Sequence, residues 1–147
     1  MNVLVDTPVW SLALRRKPRH LNAAEKRIVA EWRQLVREGR ICLIGIVRQE
    51  LLSGIRQRAQ FEALRDHLSS FDDIAVETHD HVRAAEHFNT CRARGIAGTA
   101  VDMLLCSMAE RHDLAVFTTD PDFDHYATVL PIRRHEARPG SVLDASS

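Results

Sequence analysis

A handful of short apolar runs constrains this chain more than anything else in it. Val3-Leu4-Val5, Ile41-Cys42-Leu43-Ile44, Ile74-Ala75-Val76 and Leu114-Ala115-Val116-Phe117 are rich in β-branched residues and end abruptly in polar ones. Runs this short are not buried helices, and their lack of polar alternation marks strands covered on both faces. Val129-Leu130-Pro131-Ile132 reads as a fifth strand, at an edge because its proline has no N–H for a ladder. The segments between the runs carry helical periodicity. Strands alternating with helices build a parallel sheet with helices on both sides. The expected architecture is a three-layer α/β/α domain around a central parallel sheet.

The helical segments mark their own ends. Thr7-Pro8 places a proline in a first turn, so Val9 to Arg15 is expected as a short helix. Asn22 caps a helix running to Glu38, with Ile28, Val29, Trp32, Leu35 and Val36 on one face and Gly39 at the stop. Further helices are expected around Val47 to Gly54, from Gln57 to Leu68, from His79 to Arg94, and from a Thr99 cap to Arg111. The domain is expected to span residues 1–132. Residues 133–147, polar and containing Pro139-Gly140, are expected as a mobile tail.

Composition narrows the class of function. A chain of 147 residues fits one domain. Twenty Lys and Arg balance twenty Asp and Glu, so bulk charge gives no affinity for polyanions and only a local basic patch could. Three scattered cysteines, Cys42, Cys91 and Cys106, form neither a disulfide framework nor a zinc ribbon. No stretch reaches the roughly 18 apolar residues of a membrane span, and no signal-peptide pattern opens the chain. The expectation is a cytoplasmic protein with no membrane association.

Function in a parallel sheet gathers at the carboxyl ends of its strands, and acids stand there. Asp6 ends the first strand and Asp120 follows the fourth. Glu50 lies in the helix after the second strand, among Ile46, Val47, Leu51 and Leu52, and Asp102 sits in the first turn of an apolar helix. Singly, each has an ordinary explanation: Asp6 a helix cap, Asp102 a dipole partner, Glu50 a surface residue. Together they are harder to dismiss, because carboxylates buried side by side repel and resist ionisation. A divalent cation with hard oxygen ligands, Mg²⁺ or Mn²⁺, resolves the conflict.

Four motifs in order then carry a family resemblance. Val3-Leu4-Val5-Asp6-Thr7-x-Val9-Trp10, Glu50-Leu51-Leu52-x-Gly54, Asp102-x-x-Leu105 and Thr118-x-Asp120-x-Asp122-Phe123 resemble those of PIN-domain ribonucleases, most of all VapC-type toxins of toxin–antitoxin pairs. The resemblance covers about residues 2 to 131. It implies a PIN-like fold and a metal-dependent endoribonuclease, dimeric, with RNA as substrate and a small cognate antitoxin as partner. It also implies that Asp6, Glu50, Asp102 and Asp120 are the catalytic acids and the ligands of Mg²⁺ or Mn²⁺. The chain departs from the pattern at Pro8, where serine is frequent, in Leu43-Ile44-Gly45-Ile46, which lacks a hydroxyl, and at Val101 before Asp102. No carboxylate is lost.

Other features carry less. His79-Asp80-His81 places two histidines two apart on a helix, where they do not face each other, so Asp80 or Thr78 reads as a cap. Ser107 and Cys106 lack a nucleophile setting, and Gly95-x-x-Gly98 lacks the lysine of a phosphate loop. Asp122 and Asp124 read as caps of a turn around Pro121. The basic groups Arg15-Arg16-Lys17-Arg19, Arg56-Arg58, Arg92-Arg94 and Arg133-Arg134 read as solvated faces, or as a rim holding RNA phosphates. Trp10, Leu12, Leu51, Leu52 and Phe61 look in excess of one small core and are expected at protein partners. The competing reading is a non-catalytic acidic groove for a basic peptide. An aspartyl-phosphate mechanism is disfavoured by Pro8, two positions after Asp6.

Overall fold

The structure, a computed structural model, describes residues 1–139. Strands β1 (Val3–Val5), β2 (Ile41–Cys42), β3 (Ala115–Phe117) and β4 (Arg133–Arg134) form one sheet in the order β2-β1-β3-β4, every pair parallel. Among the described residues seven α-helices flank it: α1 (Thr7–Leu14), α2 (Ala23–Arg37), α3 (Gly45–Leu52), α4 (Arg58–Leu68), α5 (Thr78–Ala93), α6 (Ala100–Arg111) and α7 (Asp122–Ala127). This is the α/β/α arrangement that the apolar runs demand. None of these helices is long and apolar enough to cross a membrane.

The sheet centre is dry. Val3, Leu4, Val5 and Val116 have no exposed surface, and α6 buries every residue from Met103 to Ala109. A helix covered all round must lie inside the domain, and each such large side chain contributes roughly 1.5–3 kcal/mol. The amphipathic α2 turns Val29, Trp32 and Leu35 inward. Its start is a capping box, Asn22 accepting from the Glu25 N–H and Glu25 accepting from the Asn22 N–H. Its end is Gly39 at φ +66°, where a side chain would strain the turn.

Three sequence expectations are corrected. Ile74-Ala75-Val76 is not a strand; only an isolated parallel bridge joins Leu43 to Asp73. The run's polar backbone groups are engaged otherwise: the Ile74 N–H donates to the Leu43 carbonyl and the Ala75 carbonyl accepts from Arg111, while Arg48 ties down Leu68, Phe71 and Asp73 just before it. The edge strand is not Val129–Ile132 either. Leu130 N–H bonds the Tyr126 carbonyl and Ile132 N–H bonds Leu130, so these residues close α7, and the pairing with β3 begins at Arg133. Finally, Trp10, Leu12 and Leu51 are core rather than partner surface. The Trp10 indole donates to the Val5 carbonyl and meets Trp32 and Phe71 edge-on. Leu52 and Phe61 are half-buried.

Part of the segment expected as a tail is held in place. Beyond β4, His135 Nε2 lies 2.6 Å from a carboxylate oxygen of Glu31 and Arg138 donates to the same group. Glu31 is fully buried. The remainder, 140–147, lies outside the described residues.

Candidate active site at the carboxyl ends of β1 and β3

β1 and β3 are neighbours in register, Val5 opposite Phe117, so the residues after each strand emerge side by side. Asp6 caps α1: one oxygen accepts from the Thr7 N–H at 2.8 Å, the other from the Thr118 hydroxyl at 2.8 Å. Thr118 also accepts from the Asp120 N–H, and Asp120 from the Asp122 N–H at 2.9 Å, which starts α7. One threonine therefore links the first acid to the loop bearing the others. Across the site Thr99 caps α6 by accepting from the Asp102 N–H, and the Tyr126 hydroxyl donates to Asp102 at 2.7 Å.

The acids meet in two overlapping groups. Ligand oxygens of Asp102, Asp120 and Asp122 lie within 4.8 Å of one another. Asp6 and Glu50 do not join so tight a set, yet Asp6 feels the charges of both Asp102 and Glu50. Asp102 feels Asp120 and Asp122, so it belongs to both groups. Glu50 is exposed, contrary to its apolar sequence neighbours, because Val47 and Leu51 occupy the inward face of α3. Its carboxylate accepts from the Thr7 hydroxyl at 3.0 Å.

Electrostatics follow from crowding and burial. The Asp6 carboxyl is pushed up to about 6, first by burial and then by the Asp102 and Glu50 charges, against the pull of the Thr118 and Thr7 hydrogen bonds. Burial also raises Asp102, helped by Asp120 and Asp122 and opposed by Tyr126. The Tyr126 phenol is raised by burial and by its bond to Asp102, so it stays a donor. Burial and nearby acids raise the Cys106 thiol, which leaves it no nucleophile.

The donors are all oxygens, clustered, and in two of them, Asp6 and Asp102, burial and neighbouring acids raise the carboxyl. That set suits a hard divalent cation and offers nothing to a soft one. Asp122 was not expected in the cluster; its signal is the spacing Asp120-x-Asp122, which reads equally as a turn. Asp124 points elsewhere and pairs with Arg134. Thr99 was legible as a helix cap and Thr118 as part of a motif, whereas Tyr126 has no local signature, because it matters through Asp102, distant in the chain. The hydroxyl missing at Pro8 is supplied to Asp6 by Thr118 instead.

Comparison with known proteins bears on the fold. No curated protein matches the chain at a significant level. Among solved structures it is similar to a chain of FitAcB from Neisseria gonorrhoeae, with 22% identity and TM-score 0.72 over 92% of this chain and 97% of that one. It is also similar to a chain of VapBC2 from Rickettsia felis, bound to a DNA fragment from the promoter, with 18% identity and TM-score 0.71 over 92% and 98%. A third is a toxin–antitoxin complex from Klebsiella pneumoniae, with 18% identity and TM-score 0.62 over 83% and 90%. At these identities the likeness is one of fold. The model of the PIN domain matches residues 3–129, and the chain belongs to the PIN-domain family.

Proposed function

We propose that the protein is a cytoplasmic, metal-dependent endoribonuclease and the toxin of a toxin–antitoxin pair. The observation that carries the reading is the meeting of Asp102, Asp120 and Asp122 within 4.8 Å, beside Asp6, in a family whose fold it shares with chains of toxin–antitoxin complexes. Asp6, Glu50, Asp102 and Asp120 would hold Mg²⁺ or Mn²⁺, with Asp122 joining them. An ion held by these residues would supply the positive charge that the site lacks and would act as a Lewis acid toward water and phosphate oxygens.

The chain's own residues prepare the ground. Thr7 and Thr118 fix both oxygens of Asp6, so its carboxylate does not rotate away when charged. Tyr126 holds Asp102 by one oxygen. Exposed Arg15, Arg16, Arg56, Arg92 and Arg94 have no ion pair among the described residues and are available to RNA phosphates. Arg133 and Arg134 are not, since they pair with Asp113 and Asp124.

Two protein partners belong to the proposal, a second copy of the chain and a small antitoxin whose Arg or Lys enters the acidic pocket. Two grooves support them: an apolar one of about 760 Å³ lined by Ile46, Ile74, Val76, Phe88 and Leu104, and a more polar one of about 620 Å³ between α1 and α4. The test is cleavage of structured and unstructured RNA by purified protein. Cutting with Mg²⁺ or Mn²⁺ that EDTA abolishes is expected. RNA binding without cleavage in either metal would overturn the enzyme reading in favour of a binding module.

A further inference from the structure

β4 lies outside every residue that the acid motifs single out, yet its second residue reaches the site. The register Val116↔Arg134 sets Arg134 beside β3, two residues before Thr118. From there Nη2 donates to the Thr118 carbonyl at 2.9 Å and Nη1 to the Asp124 carboxylate at 2.6 Å. Its Nε has no partner among the described residues, so the two terminal nitrogens carry the contact. Thr118 follows β3 and Asp124 sits in α7. The guanidinium thus spans the loop between them, which carries Asp120 and Asp122.

We propose that Arg134 is a positioning residue: its guanidinium clamps both ends of the loop and sets how Asp120 and Asp122 meet Asp102. The linkage is short at each end. Thr118 orients Asp6 through its hydroxyl, and α7 carries Tyr126, which holds Asp102. A planar fork that binds a carbonyl and a carboxylate at once fixes an angle that a point charge does not. The clamp is itself anchored. His135 N–H bonds the Val116 carbonyl, the His135 ring meets Phe117 edge-on, and His135 and Arg138 both contact the buried Glu31. The polar end of the domain therefore braces the acidic loop from behind. The inference rests on the proposed function only for what the loop's carboxylates hold.

The test compares full-length wild type with Arg134→Ala, Arg134→Lys and Asp124→Ala. Amide hydrogen exchange of Asp120 and Asp122 is read in metal-free protein, and Mn²⁺ binding by calorimetry. Arg134→Ala should speed exchange at both amides and weaken Mn²⁺ binding about ten- to a hundred-fold, the usual cost of losing a group that orients ligands. Arg134→Lys should recover part of both, and Asp124→Ala should show the smallest change because the carbonyl contact persists. A merely structural role would lower the melting temperature and leave Mn²⁺ affinity of the folded protein unchanged, which overturns the proposal. If Arg134→Ala does not fold, unchanged exchange and affinity in the other two variants overturn it. Wild type that binds Mn²⁺ but cuts no RNA would refute the proposed function and leave the clamp standing. Active wild type matched by Arg134→Ala in exchange and affinity would do the reverse, and wild type that binds no Mn²⁺, with exchange unchanged in Arg134→Ala, would refute both.

Discussion

Two aspartates are buried among the described residues, and their surroundings are opposite. Asp80, 1% exposed in the first turn of α5, is held by two nitrogens of Arg111 at 2.6 and 2.7 Å. It also accepts from the Glu77 N–H to complete a capping box. Arg111 keeps its carboxyl below the ordinary range. Asp6, 6% exposed after β1, receives two hydrogen bonds from neutral donors and no ion pair among the described residues, and its carboxyl rises to about 6. The same chain thus neutralises a buried carboxylate with its own arginine in one place and leaves it to the outside in another. Glu31, with His135 and Arg138, follows the Asp80 pattern. Want of a counter-charge is therefore local to the carboxyl end of the sheet, where a cation from solution fits.

The largest test of this contrast is Asp6→Asn. The amide keeps the shape and removes the charge, so RNA cleavage should fall by more than about a hundred-fold, beyond what loss of an outer partner of a metal ligand costs. The metal-free variant should melt no lower than wild type, since repulsion with Asp102 and Glu50 is relieved. A matching loss of melting temperature would mean that Asp6 is structural, like Asp80.

Asp80→Ala should behave in the opposite way, with cleavage per folded molecule retained and stability reduced by roughly 2–4 kcal/mol for a broken buried pair and a lost cap. The two residues should also separate by pH in metal-free urea unfolding. The folded Asp6 carboxyl holds its proton more tightly than the unfolded one. Its contribution is full below the ordinary 3.8 and disappears as pH rises to about 6. Asp80 contributes above 3.8 and loses its contribution as pH falls through its lowered folded value. Asp6→Asn should therefore flatten the decline between about pH 4 and 6, by up to about 3 kcal/mol. Asp102 keeps part of that decline, because its shift has the same sign. Asp80→Ala should flatten the acid limb alone.

Much of this was legible in the sequence, and the failures share one cause. Asp6, Asp102 and Asp120 were readable because strand ends and helix starts are local patterns, and the alternation of apolar runs with helices set the parallel sheet. Ile74-Ala75-Val76 misled because its Ala75 carbonyl is taken by Arg111, a side chain more than thirty residues away. Glu50 looked buried because the chain order of apolar neighbours hides which face of α3 they occupy. Asp122 was hidden by its equal fitness as a turn residue, and Tyr126 and Arg134 act through contacts with other elements of the fold. Periodicity reports what a residue's own element needs; it does not report what another element asks of it.

Asp102 belongs to both groups of acids, so it bears most directly on whether they form one metal site. The decisive measurement is calorimetric titration of Mn²⁺ into metal-free wild type and Asp102→Asn near pH 6, in two buffers of different ionisation enthalpy. The account predicts that wild type binds with release of protons, because a raised carboxyl must ionise to ligate, and that Asp102→Asn loses most of both. Equal affinity and equal proton release in the two proteins would contradict it.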